Sequence, residues 1–154
     1  MTVATRIQTL SNDRGSAQRS KRAPALEAVP SPDQRLEAFG GEAVVELARR
    51  MYELRRRRDS SLGGELFSEP AWDLLLHLFV AGAAGCVVSV SAACDGAAAP
   101  QTTALRKLRQ LEEARLIVRA GDPTDARRAY VRLSALACRK MRSLLKGGCP
   151  RFGE

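Results

Sequence analysis

The sequence lacks the local devices on which most catalysis depends. No G-x-x-x-x-G-K-[ST], G-x-G-x-x-G, G-x-S-x-G or H-E-x-x-H pattern occurs, so no phosphate cradle, dinucleotide turn, nucleophilic serine or catalytic zinc is expected. Histidine occurs once, at His77, and Cys86, Cys94, Cys138 and Cys149 form no C-x-x-C pair. Zinc ligands come at shorter, patterned spacings, so neither a metal nor a cofactor is expected. Glu112 and Glu113 are adjacent carboxylates, but helical neighbours point about 100° apart and cannot work as an acid/base pair. No apolar run is long enough to span a bilayer, the stretch 74–86 being short and broken by His77 and glycines. The N-terminus lacks the apolar core of a signal peptide. A cytoplasmic, reducing location with free thiols is therefore expected. Cys86, Cys94 and Cys138 are read as small buried hydrophobes, with thiol-based redox sensing as the alternative.

Positive charge is what the chain has in excess. Lys and Arg number 25 against 17 Asp and Glu, a formal net charge of +8 over 154 residues. That balance favours a polyanionic partner, nucleic acid being the commonest for a soluble basic chain, over a merely solvated surface. The length has room for one domain with appendages. Residues 1–38 read as a flexible basic arm, because Pro24, Pro30 and Pro32 interrupt any helical period and apolar residues do not recur. The cluster Arg19-Ser20-Lys21-Arg22 lies in this arm, whose removal is expected to expose no core.

Residues 39–60 read as a helix ending near Asp59. Val44, Leu47, Ala48, Met51 and Leu54 form its apolar stripe, and Arg49, Arg50 and the run Arg55 to Arg58 its solvated face. Ser68 with Pro70 marks the next helix start, and the apolar run 74–80 makes that helix a buried one, with Trp72 and Phe79 as core anchors and His77 at the core boundary. Val87 to Val90 read as a short strand, Ser89 or Ser91 as the cap of a brief helix through Cys94, and Gly96 as the turn into Pro100.

From Pro100 to Arg115 the pattern is a helix. Leu105, Leu108 and Leu111 recur on one face; Gln101, Thr102, Thr103, Arg106 and Gln110 occupy the other. Those polar side chains can meet base edges and phosphates, and a helix is the width that a major groove admits. Arg106 and Lys107 in the first half and carboxylates in the last turn run against the helix dipole, which makes sense where the N-terminal end meets phosphates. Two β-prone runs follow, 116–118 and 129–133, joined by a polar turn containing Gly121, Asp122-Pro123 and Asp125 with Arg127 and Arg128 on its returning side. Ser134 caps a last helix carrying Ala137, Met141, Leu144 and Leu145.

Asp125-x-Arg127, five residues, then Leu133-Ser134, preceded by Leu111-Glu112-Glu113 and Leu116, resembles the wing pattern D-x-R-x5-L-[TS] of the multiple-antibiotic-resistance regulator (MarR) family of bacterial repressors. The likeness covers about Glu65 to Leu145. It implies a mainly α fold with a small β-wing (α+β): a winged helix-turn-helix over 65–133, flanked by dimerisation helices at 39–60 and 134–147, with a disordered tail at 148–154. It also implies a cytoplasmic homodimer, associated with the nucleoid when bound, that represses transcription from double-stranded DNA and does not enter membranes. The helix 100–115 would enter the major groove through Gln101, Thr102, Thr103, Arg106, Lys107 and Gln110. Arg127 and Arg128 on the wing 119–128 would reach the minor groove, with Asp125 fixing the turn, where it could pair with Arg127. Relatives release DNA on binding small lipophilic or phenolic effectors. A winged protein-interaction module without DNA binding is the rival reading. Two positions depart from the pattern: Arg115 and Ala126 stand where relatives have Gly, so at Arg115 a left-handed helix end must be replaced or strained.

Overall fold

The computed structural model describes residues 31–147. The arm's Arg19–Arg22 cluster, Cys149 and the tail at 148–154 lie outside them. In chain order the elements are α1 (Pro32–Ala38), α2 (Glu42–Leu62), a 3-10 turn (Gly64–Phe67), α3 (Pro70–Ala83), β1 (Val88–Ser89), α4 (Val90–Gly96), α5 (Gln101–Glu113), β2 (Ile117–Gly121), β3 (Ala129–Leu133) and α6 (Ala135–Gly147). This is the α+β winged helix-turn-helix expected from the sequence.

Helix α3 is the hub, with α2, α4, α5 and β3 packed around it. Leu74, Leu76 and Phe79 are fully buried, as a helix apolar on most sides requires. Trp72 is only half-buried against this core. Ser68 does not cap the helix: Glu69 takes the N-cap position and makes no capping hydrogen bond, its carboxylate binding Arg55 instead.

The arginine run on α2 is a correction to the expected solvated face. Arg55 and Arg56 side chains are only 12% and 13% exposed, because Asp73, at 2%, projects from α3 between them. Arg55 Nε donates to Asp73 Oδ1 at 2.5 Å, and Arg56 Nη2 lies 2.7 Å from Oδ2. The same Arg56 Nη2 lies 3.2 Å from Asp59 Oδ2, and Asp59 also binds Arg58. This pairing holds α2 helical past its expected end, through Ser60 and Ser61 to Leu62.

A second correction concerns residues 32–38, which form α1 rather than part of a flexible arm. Pro32 sits in the first turn, where its missing N–H costs nothing. Ser31 Oγ accepts the Gln34 N–H at 3.2 Å while Gln34 Oε1 accepts the Ser31 N–H at 2.9 Å, a complete capping box. Gly40 and Gly41, at φ +97° and +89°, turn the chain into α2. The Phe39 ring packs edge-on against Phe79 at 5.0 Å and 74°, and Leu36 joins the core margin. Removing residues 1–38 would therefore strip away packed structure, contrary to the sequence reading.

The sheet order is β1-β3-β2, antiparallel throughout, with Val88 opposite Val131 and Gly121 opposite Ala129. Strand β2 runs to Gly121, beyond the apolar run 116–118. Val131, Leu133 and Ile117 turn into the core. Ser134 then joins three elements. Its Oγ accepts the Ala137 N–H at 3.0 Å as the expected cap of α6 and donates to Arg115 O at 2.8 Å, while its N–H donates to Leu116 O at 2.9 Å.

Helix α5 ends in a Schellman motif without glycine. Leu116 N–H donates to Leu111 O and Arg115 N–H to Glu112 O, both at 2.9 Å, with Arg115 at φ +57°. The left-handed geometry is thus kept and strained, not replaced. A left-handed L-residue costs about 1–2 kcal/mol, and glycine's extra unfolded-state freedom returns about 0.5–1. Arg115→Gly is therefore expected to stabilise the fold by about 0.5–1 kcal/mol, read as a higher urea midpoint at unchanged m-value. A lower midpoint would contradict this account of the helix end.

The apolar stripes of the two flanking helices divide. Val44, Ala137 and Met141 are buried and Met51 half-buried within one chain, whereas Leu47, Leu54 and Leu144 are 36%, 66% and 58% exposed. Among the described residues no helix is long and apolar enough to cross a membrane.

Candidate nucleic-acid interface

Helix α5 is held by Ala104, Leu108 and Leu111, all buried, with Leu105 half-buried beside them. The spacing of four and three residues leaves the other face outward. Gln101, Thr102, Arg106 and Gln110 are exposed there, while Thr103 and Lys107 stand at its half-buried edge. Thr102 and Arg106, four apart and both exposed, are therefore neighbours on this face. Arg109 is also exposed. The sequence reading passed over it, although the same helical period places it three residues beyond Arg106.

The helix begins without a side-chain cap. Pro100 holds the N-cap position and no carboxylate lies in the first turn. The first N–H groups therefore keep no partner from a cap, and together with the positive end of the dipole they suit an anion. At the other end Glu112 is occupied by Arg119 at 3.4 Å.

The start of α5 is set by α4 and the intervening turn. Ser89, not Ser91, caps α4, accepting the Ala92 N–H at 3.1 Å. Gly96 does not make the turn: it is the last residue of α4, and Ala98 takes the left-handed conformation at φ +46°. Gly96 is small because His77 lies against it, 2.8 Å from its Cγ to where a Cβ would stand. His77 is a boundary histidine as expected; burial, and then Arg56, lower its pKa. An open hollow of about 570 Å³ flanks this turn, lined by residues including Ser91, Asp95, Pro100 and Gln101.

The wing loop between β2 and β3 is built by two aspartates. Asp122 accepts from Thr124 Oγ1 at 2.6 Å, Thr124 N–H at 2.8 Å and Tyr130 Oη at 2.9 Å. These donors, Thr124's hydroxyl foremost, hold its carboxyl down to about 2, so this turn keeps its charged acceptor until pH falls toward that value. The sequence reading took Asp122-Pro123 as a turn marker but gave the stabilising role to Asp125 alone, though Asp-Pro-Thr is a pattern for such a side-chain turn. Asp125 does fix the turn, accepting the Arg127 N–H at 3.0 Å, but its ion pair is with Arg128 at 3.5 Å and not with the Arg127 guanidinium. Arg127 and Arg128 are both exposed.

The thiols divide as well. Cys94 is buried and Cys138 half-buried, and burial pushes both thiols up from their ordinary value. Cys86 is exposed, not the small buried hydrophobe expected: it follows Gly85, at φ +73°, in the turn after α3, which carries it out of the core.

An outward polar helix with an open N-terminus, a strand pair and a protruding basic loop together define a winged helix-turn-helix. Compared with solved structures, the chain is similar to apo (heme-free) PefR, at 19% identity over 66% of this chain and 89% of that one, with a TM-score of 0.39. It is also similar to the MepR Q18P mutant from a multidrug-resistant S. aureus clinical isolate, at 16% identity over 98% of this chain and 78% of that one, with a TM-score of 0.38. No family model and no curated protein matches the chain.

Proposed function

We propose that this protein is a homodimeric, sequence-specific regulator of transcription, a repressor, that binds double-stranded DNA. The observation that carries the proposal is the outward face of α5: Gln101, Thr102, Arg106 and Gln110 exposed at and beyond an uncapped helix start, with Ala104, Leu108 and Leu111 buried behind them. Thr103 and Lys107 assist from the edge of that face. α5 lies in the major groove, and Arg127 and Arg128 reach the minor groove from a wing held by Asp125. The chemistry is binding alone and needs no cofactor. The raised thiols of Cys94 and Cys138 speak against a redox switch at either of these two, because the reactive form is the thiolate.

Affinity for duplex DNA is expected to fall steeply with salt, each neutralised phosphate adding about 0.9 to the slope of log K against log salt. Fluorescence anisotropy across a salt series checks this. A protein-interaction module on the same fold would show little or no duplex affinity and no such slope.

Leu47, Leu54 and Leu144 support two-fold dimerisation through the flanking helices, since association would cover apolar side chains that one chain leaves open. Light scattering at tens of micromolar should give twice the chain mass; a monomer there would remove this part of the proposal. A dimer's two readers would enter successive major grooves, so selected sites should be pseudo-palindromes with half-sites roughly 10 base pairs apart. Sites without inverted symmetry would contradict that arrangement.

A further inference from the structure

We propose that Tyr52 is a positioning residue for the reader: from α2 it clamps the end of α4 through the Gly96 carbonyl and so fixes where α5 begins. The proposal rests on the DNA-binding reading above, in which α5 is the element to be positioned.

Tyr52 and Gly96 are 44 residues apart, yet Tyr52 Oη donates to Gly96 O at 2.9 Å. Gly96 closes α4, and carbonyls in a last turn have no intrahelical donor, so the phenol supplies one that the helix cannot. Burial raises the Tyr52 pKa above its ordinary value, which keeps the hydroxyl a donor. The clamp has a second jaw. The His77 ring, from α3, fills the space where a Gly96 Cβ would stand and lies 5.7 Å from the Tyr52 ring. Arg56 backs Tyr52 at 5.2 Å and is itself tied to Asp73 and Asp59. Helices α2, α3 and α4 therefore converge on one peptide group.

The turn beyond that point contains little to fix it locally. Ala98 takes a left-handed conformation without being glycine, and α5 starts at Gln101 with no capping side chain. A turn with a strained residue and no cap holds one conformation only when its surroundings impose it. Tyr52 and His77 supply that on the α4 side through Gly96, next to the buried Ala97 that opens the turn. A shift of α2 against α3 would thus be felt directly at the start of the reader.

The test compares the full-length protein with its Tyr52→Phe variant, which keeps the ring and removes only the hydroxyl. Two duplexes of equal length are used: one recovered by selection from random DNA, and a scrambled one. Kd for the selected duplex is expected to rise about tenfold, because a looser turn lowers the binding-competent fraction, while Kd for the scrambled duplex changes less than twofold. Hydrogen exchange on the free protein is the independent arm. Amides of Ala97, Ala98, Ala99 and Gln101 should exchange about tenfold faster, with those of α3 unchanged. Unchanged exchange in the turn, or equal losses for both duplexes, would overturn the clamp. Faster turn exchange in a protein that binds neither duplex would support the clamp and instead overturn the DNA-binding reading.

Discussion

Replacing Asp73 with alanine is expected to cost the fold about 3–5 kcal/mol, the range for breaking a buried ion pair by removing one partner. The carboxylate is buried between Arg55 and Arg56, each nearly buried itself; it accepts from Arg55 and pairs ionically with Arg56. Without it, Arg55 keeps only Glu69 and Arg56 only Asp59, both beyond the buried centre. Two guanidinium groups would then face a cavity lined by their own charge. Domains of this size hold about 5–15 kcal/mol in total, so the variant should be close to unfolding at ordinary temperature. Asp73→Asn fills the volume but leaves the charges uncompensated, and should lose most of the same stability. Urea denaturation followed by circular dichroism measures both. A loss below about 1 kcal/mol for Asp73→Ala would mean that water and Glu69 already satisfy the arginines and that the network adds nothing.

Nothing in the sequence marks Asp73 as that partner. An arginine run is most often a solvated face, and only the docking of α2 on α3 turns Arg55 and Arg56 inward. The elements that were legible are those written in local pattern. The Leu108 and Leu111 face of α5, the order of the wing strands, the Ser134 cap and the left-handed demand at Arg115 all follow from spacing within a few residues. α1 shows where the same logic fails. Three prolines suggested an arm, yet Pro32 is a helix-starting proline and Ser31 with Gln34 is a capping box that the sequence displays. Gly96 was misread for a different reason. Its smallness answers to His77, nineteen residues away on another helix, while the turn itself went to Ala98. At the site, exposure separates what residue type could not: Arg106 and Arg109 face outward, and Thr103 recedes to the edge. On the wing, the ion pair of Asp125 goes to Arg128, leaving the Arg127 guanidinium free of it.

The second large effect is expected at Arg106. It is exposed on the outward face of α5, one turn beyond Thr102, where its planar guanidinium can present two donors to a guanine edge. Such a contact is worth about 1–3 kcal/mol of discrimination against the wrong base, a factor of roughly 5–150. Arg127 and Arg128 serve as the contrast. A wing contact to phosphates or to groove width carries little base information, so losing either should weaken binding to most sequences alike and reduce the salt slope by about one.

The most direct measurement is therefore the ratio of affinities for a selected duplex and a scrambled one, taken for the unmodified protein, Arg106→Ala and Arg127→Ala, each first confirmed to melt and to scatter light as the unmodified protein does. Arg106→Ala is predicted to collapse that ratio, while Arg127→Ala lowers both affinities and preserves it. An intact ratio in a well-folded Arg106→Ala protein would contradict the account, because α5 would then not be the element that reads the sequence.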